Sequence, residues 1–100
     1  MEKKKSHYSL SAIKALIERD GLMVFTATAR SGFMGMGLSA TEALAVMASL
    51  SAGMLFKSMT THADNKLWQD VYHAPCPNGK TAYIKMTMQS GAVVIQFKEK

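Results

Sequence analysis

The stretch Ala82-Tyr83-Ile84-Lys85-Met86-Thr87-Met88-Gln89-Ser90-Gly91-Ala92-Val93-Val94-Ile95-Gln96-Phe97-Lys98 changes character at every second residue. A period of two marks a half-buried β-strand, and Ser90-Gly91 supplies a turn, so the stretch reads as a hairpin of strands Ala82–Gln89 and Ala92–Lys98. In the first strand Ile84, Met86 and Met88 alternate with Tyr83, Lys85 and Thr87. In the second, Val93, Ile95 and Phe97 alternate with Val94, Gln96 and Lys98. Turning the first set of each strand toward a core leaves Tyr83, Lys85 and Lys98 together on an open face.

Outward from the hairpin, Lys66–His73 and Met54–Thr61 read as two more strands. The connections are His62-Ala63-Asp64-Asn65 and a loop containing Pro75, Pro77 and Asn78-Gly79, so neighbours should run antiparallel. In Lys66–His73, Leu67, Gln69 and Val71 oppose Trp68, Asp70 and Tyr72. Both sets contain apolar residues, so pattern alone leaves this register open.

Before Gly53 the period is helical. Ser9 or Ser11 can cap a helix with Ala12, Ile13, Leu16 and Ile17 on one stripe, ended by Asp20-Gly21. Ser39-Ala40-Thr41-Glu42 is a capping box that announces a second, largely buried helix. Between them, Leu22–Thr28 is a β-favouring run read as a strand, and Ser31–Gly37, with three glycines, reads as a loop or a poor helix. Two helices leading into a four-stranded meander predict an α+β domain with helices on one face of a mainly antiparallel sheet.

At 100 residues the chain has material for one core, so a single domain over 1–100 is expected, with residues 1–5 as a basic tail. Its 48% hydrophobic content excludes a disordered tail, and one cysteine excludes a disulfide scaffold. No apolar segment follows Lys3-Lys4-Lys5, as it would in a signal peptide, so a cytoplasmic protein is expected. Gly32–Phe56 is long enough to span a bilayer, but small residues dominate it and Glu42 would cost about 3 kcal/mol to insert. No membrane association is therefore expected. The net charge is +5; outside the +2 of residues 1–5 the excess lies after Phe56, where six lysines face three acids. Such a field suits an anionic partner such as nucleic acid.

Familiar catalytic motifs are absent: there is no phosphate-binding Gly loop, no nucleophile elbow and no CxxC. His62, Asp64, His73 and Cys76 match no metal-binding spacing and read as loop and strand residues, so no metal or cofactor is expected. Cys76 with His73 lacks an orienting third group, and with it the makings of a nucleophile pair. What remains is a basic, aromatic-bearing sheet face. Lysines can hold phosphodiester oxygens and rings can stack bases. RNA also carries its own 2′-OH nucleophile, so cleavage needs only proton transfer and cationic stabilisation. A non-catalytic RNA-binding or protein-interaction module is the alternative.

Phe56-Lys57-Ser58-Met59-Thr60-Thr61, Leu67-Trp68-Gln69-Asp70-Val71-Tyr72, Tyr83-Ile84-Lys85 and the ending Val94-Ile95-Gln96-Phe97-Lys98-Glu99-Lys100 resemble the motility quorum-sensing regulator (MqsR) family of bacterial mRNA interferase toxins. The resemblance implies a RelE-like fold, metal-independent cutting of single-stranded mRNA at GC-containing triplets, and a cognate antitoxin. It places the family's active-site set on Lys57, Gln69, Tyr83 and Lys98; His73, Lys85 and Trp68 are expected as RNA contacts beside it. Gln69 then requires a twist or bulge in its strand, because alternation groups it with Val71. The family commonly has Arg-Pro where this chain has His73-Ala74-Pro75, exchanging a permanent cation for a group that titrates near neutrality.

Overall fold

A computed structural model describes residues 1–88 and 91–100. Gln89 and Ser90, the expected end of one strand and start of its turn, lie outside the described residues, as does the inward assignment of Val93. The chain runs β1 (Glu2–Lys3), α1 (Leu10–Asp20), α2 (Ala27–Gly35), α3 (Ala40–Ser49), β2 (Leu55–Thr60), β3 (Trp68–Pro75), β4 (Thr81–Met88) and β5 (Ala92–Glu99). The five strands form one sheet in the order β1-β2-β3-β4-β5, every neighbouring pair antiparallel. The α+β class is as expected; among the described residues there are three α-helices where two were expected, and the expected four-stranded meander gains β1 as a fifth strand.

Local chemistry explains the helices. The Ser9 hydroxyl accepts from the Ala12 N–H at 3.2 Å to start α1, and Ile13 and Ile17 are buried beneath it. Gly21, at φ 59°, ends the helix and returns its N–H to the Ile17 carbonyl. In α3 both arms of the Ser39/Glu42 capping box are closed, at 3.1 and 2.9 Å.

The expected strand Leu22–Thr28 is not formed. Gly21–Val24 is a 3₁₀ turn, Phe25 makes one parallel bridge to Val94, and Thr26 caps α2 by accepting from the Ala29 N–H. The same Thr26 donates its hydroxyl to the Ile95 carbonyl at 2.8 Å and its N–H to the Val94 carbonyl at 3.1 Å. A single residue of sheet contact followed by a cap converts a β-favouring run into a helix start. Most of the glycine-rich Ser31–Gly37 segment belongs to α2. Gly32 is required there, because a Cβ would collide with the Phe97 carbonyl oxygen; this helix lies directly on the β5 backbone. Phe33, Phe25 and Phe97 fill the contact, with ring centroids 5.8 to 6.3 Å apart.

The basic start of the chain contributes the edge strand. Lys3 pairs with Ser58 and Glu2 with Met59, and the Met1 ammonium donates to the Thr60 hydroxyl. Asp70, wholly buried, accepts the backbone N–H groups of His7 and Tyr8 and the Ser58 hydroxyl, fastening the segment after β1 to β3.

One face of the sheet meets the helices. Tyr72, Ala74, Ala82, Ile84, Met86, Val94 and Phe97 join Ile13, Phe33, Met47 and their neighbours in one core. Val94 departs from the expected alternation, which put it on the open face. Lys85 pairs with Gln96 but Met86 pairs with Val94, so Ile95 is the extra residue of a β-bulge and Val94 turns inward. The 32–56 stretch is divided among α2, α3, a 3₁₀ turn and β2, and no described helix is long and apolar enough to cross a membrane.

Candidate active site

The helix-free face of the sheet is built from cross-strand rows, because directly paired residues in antiparallel strands project from the same face. One row runs Lys57, Val71, Lys85 and Gln96 across β2 to β5. The next runs His73, Tyr83 and Lys98 across β3 to β5. On the other side of the first row lies the pair Met59 and Gln69. The structure thus brings Lys57, Gln69, Tyr83 and Lys98 onto one face with His73 and Lys85.

Gln69 reaches that face without distortion of its own strand. The pairing of β3 with β2 over Trp68–Val71 and with β4 over Asp70–Pro75 is continuous, so the expected twist or bulge in β3 is absent. Val71 shares this face with Gln69, as alternation groups them. It is fully buried, yet it stands outside the helix-side core, between Lys57 and Lys85 as an apolar floor of the open face. Asp70 and Tyr72 take the helix side instead.

The irregularity sits in β2. Leu55 pairs with Tyr72 and Lys57 with Val71, leaving Phe56 as the added residue. Leu55 packs toward the core, whereas Phe56 stacks on His73 with centroids 4.4 Å apart and planes 20° from parallel. His73 in turn lies 5.9 Å from the Tyr83 ring, and the Lys98 ammonium is 5.3 Å from the Tyr83 centroid.

Charge on this face is concentrated and partly neutralised. The Lys57 ammonium donates to the Glu2 carboxylate at 2.7 Å, and that hydrogen bond holds the lysine pKa above its ordinary value. Glu2 is correspondingly held below the usual carboxylate range. Burial, then the fields of Lys98 and Lys57, lower the pKa of Lys85. Burial, then the charge of Lys100, lowers the pKa of His73 from its ordinary value, favouring the uncharged imidazole.

Other sequence candidates lie elsewhere. Trp68 belongs to the opposite face by alternation with Gln69; it stacks on His7 at 5.0 Å, with the Lys3 ammonium 4.2 Å from its ring. Cys76 is buried in the helix-side core, and burial raises its thiol pKa, the reverse of what a nucleophile requires. Among the described residues no three His, Cys, Asp or Glu side chains converge as a ligand set, so His62, Asp64, His73 and Cys76 do not form one. A groove of about 620 Å³ between α1 and α3, lined by residues such as Ile17, Leu44 and Met47, is remote from the cationic face. Phe56 and Glu2 were not singled out by pattern: a bulge and a two-residue edge strand leave no periodic signal.

The sequence model of the family described as "Motility quorum-sensing regulator, toxin of MqsA" matches residues 5–99. Among similar proteins is the mRNA interferase toxin MqsR of Escherichia coli strain K12, 35% identical over 100 residues, the full length of both chains. A match running from the segment fastened by Asp70 to the end of β5 takes in every described strand of the cationic face except β1. By both comparisons, this chain belongs to the motility quorum-sensing regulator toxin family.

Proposed function

We propose that this protein is the ribonuclease toxin of a toxin–antitoxin pair. It cleaves single-stranded mRNA at GC-containing triplets by attack of the RNA 2′-OH, without a metal, and a cognate antitoxin restrains it in the cytoplasm. The observation that carries the reading is the pair of rows bearing Lys57 and Lys85, then His73, Tyr83 and Lys98, on a sheet face free of helices. Family membership and the mRNA interferase name of the full-length relative support the same chemistry.

In this mechanism the new bond joins the 2′-oxygen to phosphorus and the bond to the 5′-oxygen breaks, leaving a 2′,3′-cyclic phosphate and a 5′-hydroxyl. Charge builds on the non-bridging oxygens. Lys57, kept protonated by Glu2, and Lys98 are fixed cations for that charge. Tyr83, between His73 and Lys98 in its row, carries the proton at the 2′-hydroxyl or the leaving 5′-oxygen. Gln69 orients the strand from the neighbouring row, and Lys85 and His73 contact RNA beside the reacting phosphate.

Incubating the purified protein with labelled single-stranded RNA in excess EDTA tests this reading. Products ending in 2′,3′-cyclic phosphate are expected. Intact RNA with a retained gel shift would identify a binding module instead. In cells, expression of the chain alone should arrest growth and co-expression of its antitoxin should restore it.

A further inference from the structure

Phe56 is 43% exposed and stands outside the hydrophobic core, although a phenylalanine is among the residues that gain most from burial. Three features explain why it is held there. The β2 bulge sets Phe56 and Lys57 side by side against Val71, a device that redirects a side chain from the helix side to the open face. His73 covers one side of the ring in a near-parallel stack and limits its rotation. Lys4 and Lys57 each bring an ammonium within 5.5 Å of its centroid. The ring is fixed in orientation with ammonium groups over it, so a base that stacks on its exposed side takes the place of an ammonium, which is then free to meet the phosphate of the same nucleotide.

We propose that Phe56 is a nucleobase platform, on which one base of the single-stranded RNA next to the scissile phosphate stacks. The inference rests on the ribonuclease reading and extends it to how the strand is held. The platform is tied to the reacting row through His73, which stacks on Phe56 and faces Tyr83. Phenylalanine has no hydrogen-bonding group, so the platform fixes the register of the strand without reading the identity of its base. An apolar contact on an antitoxin is the competing occupant, and the test separates the two.

Binding is measured with a short RNA bearing one GC-containing triplet. The attacked sugar is 2′-deoxy to prevent cleavage, and a single abasic nucleotide is moved along the flanking positions. For the native protein, one position should weaken binding by about 5- to 150-fold, the range for loss of one base–aromatic stack. Phe56→Ala and Phe56→Leu should bind the intact RNA more weakly by a similar factor and lose sensitivity at that position alone. Phe56→Trp should restore both, with indole emission quenched by intact RNA and not by the abasic form. Phe56→Leu keeps apolar bulk, so a leucine variant that binds RNA like the native protein assigns the residue to a protein contact and overturns the proposal. Unchanged abasic sensitivity in Phe56→Ala overturns it as well. Failure of the ribonuclease reading is seen separately, as absence of cleavage of the all-ribose RNA by the native protein.

Discussion

Replacing Gly32 with alanine places a methyl group inside contact distance of the Phe97 carbonyl oxygen and within 3.6 Å of the Lys98 Cα. The obstructing atoms are backbone, so no rotamer change relieves the clash, and α2 must move off β5. Overpacking of this kind costs about 1–3 kcal/mol, and a backbone obstacle belongs at the upper end. Against it stands the helix-propensity gain of alanine over glycine, about 1 kcal/mol. The net loss is about 2 kcal/mol, which for a domain of this size lowers Tm by roughly 8–16 °C. Gly35, the last residue of the same helix, is the control: no atom lies within 4 Å of its Cβ position and its φ is not left-handed, so alanine there should leave Tm level or raise it by a few degrees. Thermal and urea unfolding of the two variants measure the contrast. Because the displaced β5 backbone carries Lys98, Gly32→Ala should also cleave RNA more slowly than Gly35→Ala at a temperature where both are folded. Equal Tm values, or shifts in the same direction, would refute the close-packed account of α2.

Tyr83→Phe removes the proposed proton carrier and should lower the cleavage rate by about 10²- to 10⁴-fold while RNA affinity in a gel shift stays near native. Lys98→Ala should weaken both affinity and rate, since the same ammonium meets phosphate in the ground and transition states. Burial lowers the His73 pKa, so its protonation, and any gain in RNA affinity from it, should come only at pH below the range of an ordinary imidazole. His73→Arg should flatten that dependence; an affinity step above pH 6.5, or one that persists in the arginine variant, would remove His73 from the RNA surface. Asp70→Asn sets an amide donor among the His7, Tyr8 and Ser58 donors that the buried carboxylate accepts, so a stability loss of about 1–3 kcal/mol and faster tryptic cleavage at Lys3–Lys5 are expected.

The elements legible in the sequence are those whose signals are local. A cap or capping box satisfies free N–H groups within one turn, so α1 and α3 could be read from Ser9, Ser39 and Glu42 without knowing what lies above them. Tyr83 and Lys98 were legible because β4 alternates regularly up to the bulge. The misreadings share a different cause. Whether Leu22–Thr28 extends as a strand depends on Val94 and Ile95, about seventy positions away, which accept from the Thr26 N–H and hydroxyl. Which of the two readings of Ser31–Gly37, loop or poor helix, applies depends on the Phe97 carbonyl that only a glycine can approach, and the helix is formed. The register of Lys66–His73 was open because both of its residue sets contain apolar members; Val71 is buried, yet it pairs with Lys57 and Lys85 on the open face.

The two bulges show why the candidate site was the least legible part. A strand with perfect alternation can give one face to the core and one to solvent, but it cannot put an aromatic and an ammonium from consecutive residues on the same face. In β2 the added Phe56 achieves that, and Leu55 keeps its place toward the core. In β5 the added Ile95 has the converse effect: Val94 turns inward to bridge Phe25, while Gln96 and Lys98 remain in line with Lys85 and Tyr83. Moving either bulge by one residue would reverse the facing of every side chain between the old and new positions. The β5 bulge is held by the Thr26 hydroxyl on the Ile95 carbonyl and the Thr26 N–H on the Val94 carbonyl. The helix layer therefore does more than cover the sheet: through Thr26 and Gly32 it sets the β5 register, and with it the position of Lys98 beside Tyr83.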